Sequence, residues 1–493
     1  MNVGRGAIYL FADTLISMCS GYVFWLVVSK IATTEIVGNS ATAISLATIF
    51  ITIAIMGVPT GVQRFLGKSF SEQKLQNVKV YLKASFFLTI IGSTASSFLF
   101  FIMIYLMHDI FRIDFYLLIV AITLLASSVT SILFRSIIIS SLNTKMLPVV
   151  TIISTTARFV LVISLVFIGI GSLGVVAAYT ILPVLASILL FINIMLILKP
   201  SKDKPDIDFI HSLKNTLTAG TVSWIPAVIT TFGSQLGTIV VFGSQGANQA
   251  GVYFIAFSIA SVVWVVMLIL LTIAYPALSA MQDGRKKFVR RMTMFCLIIA
   301  IPFSTCLIFY SKEVMQFFGQ DYLSGSSTLE ILLLSTLFIG VTSGINILAY
   351  SYGNYRQVLT IGLASSIPRT ALYFVLVPIF GGIGAAISFT AGSIIGFIAS
   401  IFIANKIGMQ ILWKSLFFIL SIPLGFAFVL SYVEINYFIG TIITLVASYL
   451  FYFRLKIITR SDLHDSLTTL PDAVANPILK MLNTIAKKLN RDF

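Results

Sequence analysis

Two arginines stand in the middle of long apolar runs, Arg158 within 149–169 and Arg369 within 358–379. At ~1.5 Å of rise per helical residue both fall near the midplane of a bilayer. A centred guanidinium costs roughly 2.5–3.5 kcal/mol on insertion scales and cannot easily reach the headgroups. Both should therefore face a bundle interior or a wet cavity. There they have two possible uses. They can grip a phosphate or pyrophosphate bidentately, or they can tie helices together through backbone carbonyls. Asp13 is the one acidic residue well inside a span. It is a candidate for proton or Na+ coupling, and equally for a fixed counter-ion to an arginine. Gln235 and Asn346 are midspan amides suited to hydrogen bonding with a neighbouring helix or a polar ligand, and Arg64 stands at the inner end of a span.

Other chemistry has no footing in the sequence. His108, His211 and His464 are scattered, so no metal site is expected. Gly61 to Gly67-Lys68-Ser69 resembles a phosphate-binding loop, but five residues separate its glycines instead of four and no strand precedes it. No Ser/His/Asp or Cys/His constellation and no pair of intramembrane carboxylates is visible. Cys19, Cys296 and Cys306 all lie in apolar runs and read as buried small hydrophobes. Neither an enzymatic activity nor a cofactor is expected.

The elements that position these residues follow from composition. Of 493 residues 58% are hydrophobic and 10% charged, with a mean hydropathy of +1.03. A soluble chain would carry about 25% charge, so the expectation is an all-α polytopic membrane protein. Windows of about 20 apolar residues fall near 7–30, 38–62, 82–107, 115–139, 149–169, 174–198, 216–242, 251–278, 292–310, 327–350, 358–379, 382–405, 413–433 and 437–456. That is about 14 spans, the first long enough to cross and with no cleavable signal peptide before it. With the N-terminus inside, 27 of the 32 Lys and Arg, Arg135 among them, fall in inside loops and helix ends. Lys30, Arg112 and Lys312 fall outside, and Arg158 and Arg369 remain within spans. This asymmetry predicts cytoplasmic termini and explains the net charge of +15 without any nucleic acid. In the tail, Asn476-Pro477 reads as a helix start. Ile478, Leu482, Ile485 and Leu489 then recur at helical spacing among basic residues, predicting a helix lying on the inner leaflet.

The chain also repeats itself. Gly38, Ala43 and Ser45 match Gly251, Ala256 and Ser258, and Pro59, Gly67 and Lys68 match Pro276, Gly284 and Arg285. Ser154 and Arg158 match Ser365 and Arg369, while Gly171 to Gly174 and Tyr179-Thr180 match Gly381 to Gly384 and Phe389-Thr390. The expected organisation is two parallel six-helix lobes, 1–214 and 215–410, with two extra helices in 411–460 and a cytoplasmic tail, 461–493. Same-orientation repeats of this kind suit alternating access by rocking.

Several motifs carry a family resemblance. They are Phe318-Gly319-x-x-Tyr322, Gly353, Pro378-Ile-Phe380-Gly381-Gly-Ile-Gly384-Ala385-Ala386 and Gly251-Val-Tyr253-x-x-Ala256. Together they resemble the polysaccharide-transporter branch of the MOP exporter superfamily, the Wzx-like flippases, over nearly all of 1–456. The resemblance implies two six-helix lobes, a cationic central cavity, and transfer of a polyisoprenyl-pyrophosphate sugar from the cytoplasmic to the outer leaflet. Arg158 and Arg369 would be its cationic residues. The chain departs from relatives in carrying Gln235 where many have an acidic residue, and Asp13 as the only charge in helix 1. Those departures keep a cation-coupled multidrug exporter as the alternative. The outside loops are too short for the domain that a polytopic glycosyltransferase or polymerase needs. The expected partners are a lipid-linked oligosaccharide, membrane lipids and a coupling ion, with the chain acting as a monomer in the plasma or inner membrane.

Overall fold

The computed structural model describes residues 3–111, 114–197, 207–433, 435–455 and 457. The tail helix expected after Pro477 lies outside the described residues. Among the described residues the chain is helical and carries no strand. The order is α1 (Val3–Ile31), α2 (Thr34–Ile55), α3 (Val58–Ser71), α4 (Leu75–Leu106), a single turn α5 (His108–Phe111), α6 (Phe115–Ser140), α7 (Met146–Phe167) and α8 (Gly171–Ile197). After these come α9 (Phe209–Ala280), α10 (Arg285–Phe309), α11 (Ser311–Phe318), a 3-10 segment Gln320–Gly325, α12 (Ser326–Leu334), α13 (Thr336–Ser351), α14 (Tyr355–Ile407), α15 (Trp413–Tyr432) and α16 (Tyr437–Arg454).

Twelve of the described helical runs are long and apolar enough to cross a membrane. Two are too long to cross once. The apolar run of α9 has 63 residues and α14 has 53, so each far exceeds the ~20 needed for one crossing. Each is broken by a glycine outside the helical region, Gly246 (φ 83°, ψ 178°) in α9 and Gly381 (φ 55°, ψ −133°) in α14. Only glycine enters such backbone readily. Both runs therefore hold two membrane-length stretches.

The apolar window at 38–62 does not form one helix. Met56 and Gly57 both adopt left-handed backbone, ending α2 and starting α3 with Pro59 in its first turn. Gly57 packs directly on the backbone of Gly220, and Gly61 packs on Thr216. At the other end Gly38 meets Ala247 and Gly251, the glycine that the repeat equates with it. Between these points Trp224 Nε1 donates to the Thr52 carbonyl at 2.8 Å, and the Thr60 and Ser223 hydroxyls lie 2.9 Å apart. Small residues thus let α2–α3 and residues 216–251 of α9, across its break, run antiparallel at backbone contact, the packing that membrane helices use in place of a hydrophobic drive.

Two compact units divide the chain, 1–254 and 255–493. The first has a core around Val58, Leu66, Tyr81, Leu133, Ile137, Leu147 and Leu190, where α3, α4, α6, α7 and α8 meet. In the second, α10 packs against α12, α13, α15 and α16, and α13 against α14. Exposed Ile, Leu, Val and Phe side chains are spread over both units, as expected of helices whose outer faces meet lipid.

Candidate functional site

The first unit holds α1 on α7 by a seam with a seven-residue repeat. Thr144 Oγ1 donates to the Gly6 carbonyl at 3.1 Å. Thr151 Oγ1 donates to Asp13 Oδ1 at 2.5 Å. Arg158 Nη2 donates to the Ser20 carbonyl at 2.8 Å. Each rung joins residues 138 apart, so the two helices run parallel. Seven residues are two turns of helix within about 20°, so the three rungs stay on one face of each helix.

Asp13 is the middle rung. Its carboxylate also accepts from Arg135 Nη2 on α6, forming an ion pair, and Arg135 Nη2 lies 3.4 Å from Thr151 Oγ1. The Asp13 side chain is 6% exposed and that of Arg135 26%. The sequence reading grouped Arg135 with the inner helix ends. The structure sets it inside α6 as the counter-ion of Asp13, which ties α1, α6 and α7 together.

Arg158 is 3% exposed. Its Cζ lies 4.7 Å from the ring centre of Phe24, 5.6 Å from Phe159 and 5.7 Å from Tyr179. Among the described residues no carboxylate pairs with it. Arg158 Nε, Ser154 Oγ and Thr155 Oγ1 are buried on adjoining turns of α7 without a hydrogen-bond partner among the described residues. A buried cation balanced, among the described residues, by ring faces and one carbonyl keeps anion-binding capacity.

Arg369, 8% exposed, is a second buried guanidinium laid on an aromatic ring, in the second unit. Its Nη2 donates to Ser393 Oγ at 3.0 Å, and its Cζ lies 4.0 Å from the centre of the Phe389 ring. Phe389 stacks in turn on Trp264, with centroids 4.9 Å apart and planes at 11°. Gly392 makes room for the side chain, since a Cβ there would sit 2.6 Å from Arg369 Cβ. The sequence repeat matched Arg158 with Arg369 and Tyr179 with Phe389. In each unit the matched pair is a guanidinium over an aromatic ring. Gly171 (φ 61°) and Gly381 (φ 55°), also matched, both mark a break between helices.

The remaining candidates are dispersed. Arg64 is exposed on α3, with its Cζ 5.4 Å from the Phe65 ring centre. Gln235 is half-buried in the first arm of α9. Asn346 is half-buried in α13, and its Oδ1 has no partner among the described residues. Of the cysteines, Cys296 and Cys306 are buried as expected, but Cys19 is exposed. It lies one turn from each of Leu15 and Val23 on an exposed stripe of α1, which is apolar on more than one face. Among the described residues no group of three or more His, Cys, Asp or Glu could hold a metal ion.

Comparison with known proteins places this geometry. The family described as polysaccharide biosynthesis protein matches residues 3–282. An uncharacterised membrane protein of Methanocaldococcus jannaschii is 23% identical over 436 residues, covering 84% of this chain and all of its own. The inward closed structure of the lipid II flippase MurJ has a TM-score of 0.61 at 19% identity, over 91% of this chain and 99% of that one. An inward-facing multidrug resistance MATE transporter of the MOP superfamily gives 0.62 at 14% identity, over 82% of this chain and 98% of that one. At these identities the two structures establish the fold. With more than half of its length matched by the family model, the chain belongs to the polysaccharide biosynthesis protein family and has the fold of the MOP-superfamily membrane transporters.

Proposed function

We propose that the chain flips a polyisoprenyl-pyrophosphate-linked oligosaccharide from the cytoplasmic to the outer leaflet by alternating access. It does so in the plasma or inner membrane, with both termini cytoplasmic and no covalent chemistry on the substrate. The observation that carries this reading is the repeated, buried guanidinium laid on an aromatic ring, Arg158 in one unit and Arg369 in the other. A cation exporter has no use for such charge, whereas a diphosphate matches it. The unpartnered Ser154, Thr155 and Asn346 oxygens supply hydrogen-bonding capacity of the kind that sugar hydroxyls satisfy. Family membership and the name of the lipid II flippase, a structure of the same fold, support a lipid-linked substrate.

In this reading Arg64 attracts the headgroup at the cytoplasmic mouth, and Gln235 and Asn346 contact the headgroup during passage. Asp13 serves as a fixed counter-ion, because Arg135 and Thr151 already match its carboxylate. The test is flipping in proteoliposomes of a polyisoprenyl-pyrophosphate sugar, read by lectin access to the far leaflet. Arg158→Gln and Arg369→Gln should each slow flipping, and the double variant should abolish it. Undiminished flipping by a correctly folded double variant overturns the assignment.

A further inference from the structure

Residues 285–291, Arg-Lys-Lys-Phe-Val-Arg-Arg, place five cations in the first two turns of α10. No acidic residue lies in the first turn, and Gly284 caps the helix without a side chain. Cations at this end oppose the helix dipole and one another. One of them has a clear structural use: Arg285 donates to the carbonyls of Met281 and Ser351, both at 2.7 Å, and lies over the Tyr352 ring. Lys286 and Lys287 are exposed and Arg290 is half-exposed, and none of the three makes an ion pair among the described residues.

Other cations converge on this end of the unit. The backbone of Gly408, which caps α14, lies beside Lys286 Nζ, and α15 packs against α10. The ends of α14 and α15 bring the exposed Lys406 and Lys414 to the same end, with no Asp or Glu between 401 and 433. Next to Lys414 are exposed apolar side chains: Trp413 at 55% and Phe417 at 65%. A tryptophan beside cations at the end of a membrane-length helix marks the headgroup level.

We infer that this surface is a docking site for an anionic glycerophospholipid of the cytoplasmic leaflet. The phosphate would be held by Lys287, Arg290 and Lys414, and an acyl chain would lie along Trp413 and Phe417. Charge selects an anionic headgroup, since four or more basic residues at a helix end attract acidic lipid. The aromatic strip selects a lipid over free phosphate, which has no use for apolar contact. Gly392, which packs on Arg369, lies 16 residues before the Gly408 cap of α14, about 24 Å of helix, so this surface and Arg369 fall at different levels of the unit.

The experiment is lipid retention by the full chain, purified from nanodiscs containing equal phosphatidylglycerol and phosphatidylcholine and read by mass spectrometry. Wild type should enrich phosphatidylglycerol. Lys287→Gln/Arg290→Gln/Lys414→Gln should lose that enrichment by about tenfold or more, while Lys79→Gln/Lys83→Gln in the first unit should keep it. Equal retention by wild type and triple variant overturns the inference, as does equal loss in the control. Displacement of the bound lipid by an equimolar polyisoprenyl pyrophosphate overturns it too, because the surface would then belong to the substrate. Should the triple variant fail to fold, a salt titration of wild type decides. Enrichment that falls steeply with ionic strength supports the site, and enrichment indifferent to salt refutes it.

Discussion

Breaking the ion pair between Asp13 and Arg135 should destabilise the protein, and by an amount that the geometry bounds. Asp13→Ala leaves the Arg135 guanidinium without its counter-ion and Thr151 Oγ1 without its acceptor. Removing one partner of a buried pair costs about 3–5 kcal/mol. Because a quarter of the Arg135 side chain is exposed, it can recover some solvation, and about 2–4 kcal/mol is expected. Asp13→Asn keeps hydrogen bonds and should cost less. Unfolding in mixed micelles with increasing sodium dodecyl sulfate would measure these variants and Arg135→Gln, followed by Asp13→Asn/Arg135→Gln. The double variant should be more stable than the sum of the two single losses by at least about 1 kcal/mol. Additivity within about 0.5 kcal/mol would show that the two side chains do not act as a pair. A second readout addresses coupling. A static bridge predicts that any pH dependence of transport survives in the folded double variant, and its disappearance would return Asp13 to a coupling role.

Three further outcomes follow from the packing. Gly57→Ala should lose about 2 kcal/mol or more in the same unfolding assay, since it adds a Cβ to left-handed backbone pressed on Gly220. Phe389→Leu should weaken the hold on Arg369 by about 1–2 kcal/mol, measured as destabilisation that Trp264→Leu does not add to in full. As sodium dodecyl sulfate opens the protein, maleimide should alkylate Cys19 before Cys296 and Cys306, which are exposed by 1% and 3%.

Membrane helices announce themselves by length and apolarity, so most of the architecture was readable from the chain. Arg158 and Arg369 stood out as well, because each lies midway along an apolar run, and the aromatic ring that each lies over, Tyr179 or Phe389, follows it by 21 or 20 residues. Contacts across long separations were not. Thr144, Thr151 and Arg158 meet Gly6, Asp13 and Ser20 over 138 residues, and nothing local in either helix names the other. Arg135 was hidden for a related reason: near the end of an apolar run it reads as a positive-inside residue, and only its partner distinguishes it. The break at Met56-Gly57 escaped because the flanking Ile, Val and Pro keep the window apolar while the backbone turns. Cys19 was misread because α1 is apolar on more than one face, so composition could not say which face points outward.

Recognition of a pyrophosphate-linked lipid falls, in the proposed function, to the buried arginines. Its most direct test is equilibrium binding of a polyisoprenyl-pyrophosphate sugar to the purified chain in nanodiscs, with a lipophilic cation as competitor. Wild type and Arg158→Gln/Arg369→Gln would be compared. Wild type should bind saturably, undisplaced by the cation, and binding should weaken at least tenfold in the variant, in keeping with about 1.5–3 kcal/mol per charge-assisted hydrogen bond. Binding of the cation alone, lost on Asp13→Asn and indifferent to both arginines, would contradict it.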